Sequence, residues 1–250
     1  MTGVIRCAPS HARLAWPGVV ISVVALAGAS HSAGADVFTF SSLTGLSAEA
    51  ELMLLNPTTL QIRLRNTSTG IPNGFDAAGS LLTTFSWDFD LPGINPGDNE
   101  ITGGTIVIGP NSQSLNFDTG SYGPGTNVGG EWGFGNMDGT GALINFISGN
   151  AAQATPFGGP NLDGPVSMDG PQAGLAASPL TISLGGLGAI QDEVIATVSL
   201  SHAILNLASV IGNGMRVEFG SNAAFINIPA PGALPALLVA ACAGRRRRRR

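Results

Sequence analysis

The sequence predicts an all-β protein, with a single antiparallel β-sandwich of jelly-roll type in the middle of the chain. Three observations favour this fold class. Charged residues make up only 11% of the 250 residues, Gly and Pro are abundant at 36 and 16, and short segments alternate apolar and polar side chains. Alternation with a period of two, interrupted by turn-forming residues, is typical of antiparallel strands that have one buried and one solvated face.

The two clearest predicted strands are TTLQIRLRN at 58–66 and TTFSWDFDL at 83–91. In the first, Leu and Ile alternate with Gln and Arg. In the second, aromatic residues alternate with Ser86, Asp88 and Asp90, which we expect to lie on a solvated face. Both segments therefore predict strands that pack one side against a core.

Weaker alternating segments bring the expected total to about nine to eleven strands, a number that suits one sandwich. The region 158–177 is too rich in Gly and Pro for a strand and predicts a long surface loop, while 202–210 is the best helix candidate. The further predicted strands are Val37–Ser41, Ala48–Leu55, Thr105–Ile108, Ala142–Ser148, Leu180–Leu184, Val194–Ser201 and Met215–Phe219.

Residues 1–35 have the layout of a cleaved secretory signal peptide. Arg6 and Arg13 make the start positively charged, residues 16–29 are apolar, and Ala33 and Ala35 frame a small-residue cleavage site. The alternative, a retained anchor, is disfavoured because the apolar segment is shorter than the roughly 20 residues that span a bilayer. We expect cleavage after Ala35, export by the secretion machinery, and a folded domain over 36–227.

Residues 228–250 combine a proline-glycine motif, an apolar segment and a basic end. Residues 233–244 carry no charge, which predicts a short apolar helix, and the arginines after it predict a stop-transfer block that stays in the cytoplasm. This order predicts transient anchoring in the membrane. The motif is Pro229, Ala230, Pro231 and Gly232, and the basic end is Arg245, Arg246, Arg247, Arg248, Arg249 and Arg250.

This three-part layout resembles the PEP-CTERM sorting signal of bacterial surface proteins, which an exosortase recognises and processes. Pro229, Pro231 and Gly232 match the motif, whereas Ala230 stands where the family has Glu. Residues 60–93 are also loosely similar to the exported domain of such proteins. The resemblance implies a cell-surface or extracellular protein with a membrane-anchored precursor, an exosortase-like enzyme as partner and surface polysaccharide as a further candidate partner.

The charge distribution argues against nucleic-acid binding. Sixteen acids but only three arginines lie between Asp36 and Glu218, which leaves this region with a formal charge of −13 that repels phosphates. Both cysteines, Cys7 and Cys242, fall in the two end segments. The predicted domain therefore has neither a disulfide nor thiol chemistry.

Few residues suggest catalysis or metal binding. Asp88 and Asp90 are the best candidate ligands for Ca²⁺, yet the segment lacks the spacing of a calcium loop, and a solvated strand face is the favoured interpretation. With Glu131 they would also be candidate carboxylates of a glycosidase. His202 is the single histidine of the domain, too few for a His-rich zinc site. We expect no cofactor and no enzyme activity.

Two classes of function remain. The first is a non-enzymatic surface or extracellular-matrix protein. The second is a carbohydrate- or calcium-dependent binding module on the same scaffold, in which Trp87 and Trp132 would stack on sugars together with Tyr122. An exposed aromatic array would favour the binding module, and burial of both tryptophans would favour the surface protein.

Overall fold

The described part of the chain is built almost entirely from β-strands. The structure, a computed structural model, describes residues 35–69, 76–89, 101–136, 145–152, 154–162, 171–180, 183–207, 211–221 and 224–228. The predicted all-β class is confirmed. Besides one 3-10 turn at Ala78–Ser80, the regular elements in these ranges are β1 Ala35–Ser41, β2 Ser47–Asn56, β3 Thr59–Asn66, β4 Leu82–Phe89, β5 Ile101–Ile108, β6 Gln113–Leu115, β7 Gly133–Gly135, β8 Asn145–Ser148, β9 Thr155–Pro156, β10 Leu175–Ala176, β11 Ala189–Gln191, β12 Glu193–Leu200, β13 Ile211–Phe219 and β14 Ala224–Ile228.

Five strands form an antiparallel sheet in the order β1-β2-β3-β12-β5. β2 and β3 form a hairpin that places Leu52 opposite Ile62, and β12 places Ala196 on the other side of Ile62. Alternate residues along β2 and β3 are buried, as the period of two in the sequence predicts. This sheet therefore has one apolar inner face and one partly exposed outer face.

The remaining nine strands form the second sheet. Its main path runs β6-β11-β10-β4-β8-β7-β9, and β13 pairs with both β4 and β14. The pairings are antiparallel except between β10 and β11. β4 is the central strand, because β13 pairs with it on one side and β8 pairs with residues 84–87 on the other.

A single apolar cluster joins the two sheets. Leu52 and Ile62 contribute to it from the five-stranded sheet, and Trp87 contributes from β4. Phe40 on β1 meets Phe85 on β4 edge to face, with ring centroids 6.2 Å apart. Face-to-face packing across one shared core is the arrangement of a β-sandwich.

β4 departs from its prediction, because both of its faces are buried. Ser86 is fully buried and Asp88 is 7% exposed, so the expected solvated face is wrong for these two residues, and Asp90 lies outside the described residues. Arg216 of β13 and Phe146 of β8 lie opposite Ser86 on either side, and both are buried as well. An alternating pattern predicts on which face of a strand a side chain lies. It does not predict whether another part of the chain covers that face.

Three further regions differ in part from their predictions: the loop 158–177, the strand 180–184 and the helix 202–210. The end of the expected loop 158–177 joins the core, with Ala173, Leu175 and Ala176 buried and β10 inside the second sheet. Gly174 permits this close approach, since a Cβ atom there would lie only 3.0 Å from Cβ of Leu81 and 3.1 Å from Cγ2 of Thr83. The described residues of 180–184 lie in no strand, and residues 202–206 lie in no helix. Leu207 has a 3-10 conformation, and the end of the predicted helix, 208–210, lies outside the described residues.

Asn66 links the end of β3 to the second sheet. Its side chain is 2% exposed, and its Nδ2 donates to the carbonyl oxygens of Ser80 at 3.1 Å and Leu175 at 2.7 Å. Its Oδ1 accepts a hydrogen bond from the backbone N–H of Ser68 at 3.1 Å. Asn66 begins an Asn-Thr-Ser sequon, but these three hydrogen bonds commit its amide to the fold.

Replacement of Asn66 by Ala is expected to lower the free energy of unfolding by about 2–4 kcal/mol, because two carbonyls and one N–H would lose their partner in the interior. Equilibrium denaturation in urea measures this difference. The control is Asn56→Ala, since Asn56 also accepts a hydrogen bond from the residue two positions on but is exposed. We expect the control to change stability by less than about 1 kcal/mol, and equal losses for the two variants would contradict the assignment.

Candidate functional site

The two tryptophans expected to bind a sugar are both core residues. Trp87 points into the space between the sheets and stacks on Phe85, with ring centroids 5.2 Å apart and an angle of 20° between the planes. Trp132 precedes β7 and donates from its Nε1 to the carbonyl oxygen of Ala173 at 3.0 Å. Both indoles are fully buried, so neither ring has a face open to a sugar.

Tyr122 lies partly buried against the same core. Its hydroxyl donates to Oγ1 of Thr119 at 2.9 Å, and the Thr119 hydroxyl in turn donates to the carbonyl oxygen of Leu162. This chain of hydrogen bonds fastens the loop after β6 to the segment after β9. The three aromatic residues thus stabilise the packing of loops and sheets and do not form an exposed planar array.

The carboxylates considered for metal binding or catalysis are buried in different settings. Asp88 lies on the outer face of β4, whereas the carboxylate of Glu131, fully buried before β7, accepts a hydrogen bond from the backbone N–H of Leu162. Among the residues that the structure describes, no group of three or more His, Cys, Asp or Glu is placed to hold a metal ion. Asp90, the other expected Ca²⁺ ligand, lies outside them.

His202 lies exposed after β12, where its Nδ1 is 2.9 Å from Oγ of Ser201. Nearby Ile204 holds this segment against the β2–β3 turn by donating its N–H to the carbonyl oxygen of Pro57 at 2.6 Å. The residues of the two end segments, Ala33 and the range 229–250, lie outside the described residues. Ala35 is the first residue of β1.

The sequence analysis did not predict an ion-pair cluster that lies on the outer face of the five-stranded sheet. It consists of Arg63, Arg65, Glu49, Glu51, Asp192 and Glu193. The register of the β2–β3 hairpin places Glu51 opposite Arg63 and Glu49 opposite Arg65, a pairing that alternation alone could have suggested. Glu193 is 130 positions beyond Arg63, and only the pairing of β12 with β3 brings them together.

Glu193 is the centre of this ion-pair cluster. Its side chain is 0% exposed, and its Oε2 lies 2.5 Å from Nε of Arg63 and 3.4 Å from Nε of Arg65. The carboxylate packs on the backbone of Gly109, where a Cβ atom would overlap it. The hydrogen bond to Glu193 raises the pKa of Arg63 above its usual value, so this guanidinium stays charged throughout the physiological range.

A shallow depression of about 180 Å³ lies next to the ion-pair cluster. Its lining mixes charged and apolar side chains, and its volume is below the roughly 300 Å³ at which pockets for small-molecule ligands begin. We therefore assign it no ligand. The lining residues are Glu51, Met53, Gln61, Arg63, Pro110 and Ile195.

No protein-family model, no curated protein and no solved structure matches this chain. In the described part of the chain, no helix is long and apolar enough to cross a membrane. Function therefore has to be argued from the contacts of the chain's own residues. In these contacts the tryptophans, Glu131 and Glu193 all hold parts of the sandwich together.

Replacement of Glu193 by Gln is expected to lower the free energy of unfolding by about 2–4 kcal/mol, because two arginines would lose the charge of a fully buried partner. The matched control is Glu51→Gln. Glu51 pairs with the same Arg63, at 3.6 Å, but its side chain is one-third exposed. Solvent screens that pair, so we expect a loss below about 1 kcal/mol.

Urea denaturation of both variants at neutral pH makes the comparison. A Glu193 variant as stable as the Glu51 variant would show that the buried carboxylate contributes no more than a surface charge.

Proposed function

We propose that the protein is an exported, non-enzymatic component of the bacterial cell surface or extracellular matrix, sorted by a PEP-CTERM-like signal at 228–250. One observation carries this proposal: the residues best suited to catalysis or ligand binding are used instead to hold the fold together. Trp87 and Trp132 are buried, and the carboxylates of Glu131 and Glu193 are hydrogen-bonded inside the protein. A domain that uses these side chains for its own packing is better suited to display at the cell surface than to catalysis.

The two ends of the sequence support the routing part of the proposal. The signal-peptide layout at 1–35 directs the chain out of the cytoplasm, and the Pro-x-Pro-Gly motif, apolar segment and arginines at 228–250 hold a precursor in the membrane until processing. The region 36–227 contains no cysteine, so its folding does not depend on an oxidising compartment. Its formal charge of −13 favours solubility and disfavours nucleic acids as partners.

Mass spectrometry of the protein isolated from its native cells tests the routing. We expect a mature chain that begins at Asp36 and has lost the arginines at its end, because both end segments are consumed during export and sorting. An intact Met1 would contradict export, and an intact Arg250 would contradict processing.

Paired variants test the motif itself. Joint replacement of Pro229 and Pro231 by Ala is expected to leave the arginine end attached, because the enzyme would lose the residues that match its signal. Pro235→Ala, a proline just outside the motif, is the control and is expected to be processed as the natural sequence is. Equal processing of both variants would argue against motif-dependent sorting.

Tryptophan fluorescence separates the display protein from the sugar-binding module. After removal of residues 1–35, which contain Trp16, the exported protein has only Trp87 and Trp132. Because both are buried, we expect a blue-shifted emission, weak quenching by iodide and no change when surface polysaccharide is added. A saturable change in emission on adding polysaccharide would favour the binding module.

A further inference from the structure

β1 forms one edge of the five-stranded sheet and has an open side. Among the described strands it pairs only with β2. Its outer-face residues Val37, Thr39 and Ser41 are exposed, with Val37 at 50%. A strand in this position presents unpaired backbone groups to solvent, and such an edge can accept another strand.

The hydrogen bonds of the β1–β2 turn identify which backbone groups face the open side. The N–H of Ser42 donates to the carbonyl oxygen of Leu46, so this pair is hydrogen-bonded and the next pair, Ser41 and Ser47, is not. In agreement, Ser47 accepts a hydrogen bond from Thr67 of the segment on its other side. By the same alternation, the N–H and C=O groups of Val37, Thr39 and Ser41 point away from β2.

β1 lacks most of the features that usually protect an edge strand; the exception is the charged Asp36, which alternation places on the same face as Phe38 and Phe40. Its register with β2 is regular over all seven residues, and it contains no proline, lysine or bulge. The opposite edge of the sheet is different, because a loop hydrogen-bonds to β5. The N–H of Val128 donates to the carbonyl oxygen of Ile106, and the N–H of Ile108 donates to that of Thr126. Along these two residues the β5 edge is covered, whereas no described segment pairs with the outer side of β1.

We propose that β1 is the pairing site for a second copy of this chain, joined antiparallel across a two-fold axis at Phe38. Only residues whose backbone groups point outward can bond across the axis. In the uncleaved chain, complete overlap of the seven residues then has one solution, which places Val37 opposite Thr39 of the second copy and Ala35 opposite its Ser41. Cleavage after Ala35 removes the Ala35–Ser41 pairs at the two ends of this interface and leaves the central pairs in place. The two five-stranded sheets become one continuous sheet of ten strands, joined by an isologous interface.

The sequence of β1 is compatible with its own copy. Asp36 is the only charged residue in the strand. In the proposed register it lies opposite Phe40 of the second copy, so the two aspartates are four residues apart along the strands, about 13 Å, which exceeds the Debye length of about 8 Å in physiological salt. Phe38, which packs partly buried against the core, would lie beside its own copy on the inner face. Apart from Asp36 the edge is uncharged, and the two aspartates stay far apart in this register, which favours a second copy as the occupant.

Sedimentation velocity of the full chain tests the proposal, in mild detergent and with a reductant so that the apolar ends and the cysteines do not link copies. We expect a concentration-dependent dimer, which Val37→Lys with Thr39→Lys weakens at least about tenfold by placing like charges opposite each other. Val37→Glu with Thr39→Glu is expected to weaken it similarly. An equal mixture of these two variants is expected to dimerise again.

Thr105→Lys is the matched control, since Thr105 is an exposed residue of β5 at the other edge of the same sheet, and it should dimerise normally. Circular dichroism checks that each variant is folded. If the double variants unfold, Thr39→Pro takes their place, because it removes an N–H on the open side and leaves the bonds to β2 intact. A chain that stays monomeric, or a dimer that persists in the β1 variants, overturns the proposal. Pairing through the edge strand β1 does not depend on the sorting signal at 228–250.

Discussion

The packing of two sheets against one apolar layer is the interaction on which the rest of this protein depends. The inner faces of β2, β3 and β12 are covered by β4 and β13, with Phe85 and Trp87 at the contact. Full burial of each large apolar side chain stabilises the fold by roughly 1.5–3 kcal/mol. With few charges in the chain, this layer supplies most of the stabilisation and takes the tryptophans of the domain into the interior.

The polar groups inside the sandwich have structural roles that follow from this packing. Asn66 uses its Nδ2 to join the end of β3 to Ser80 and Leu175, and Glu193 neutralises two arginines that β3 presents on its outer face. A buried polar group without a partner is strongly destabilising, so each of these residues requires its partners to be in place. β1 differs, because the backbone groups on its outer side have no partner among the described residues.

Strand prediction succeeded where the pattern is long and one-sided. β3 alternates over all eight residues and β2 over its first six, and the buried positions of both strands are apolar except for Asn66. β9, β10 and β11 have only two or three residues each, too few for a period to be recognised. The burial of acidic residues was harder to predict than the strands, since no sequence pattern around Glu131 or Glu193 indicates that its carboxylate is fully buried.

The sequence by itself determined the all-β class and the inner faces of the long strands, because a period of two is a property of neighbouring residues. It also supports the expectations for the two end segments, which depend on local composition. Only the tertiary structure decided that Ser86 and Asp88 are buried, that both tryptophans are closed to ligands, and that Glu193 meets Arg63. Each of these results depends on which strands lie side by side, and strand order is set by contacts between residues far apart in the chain.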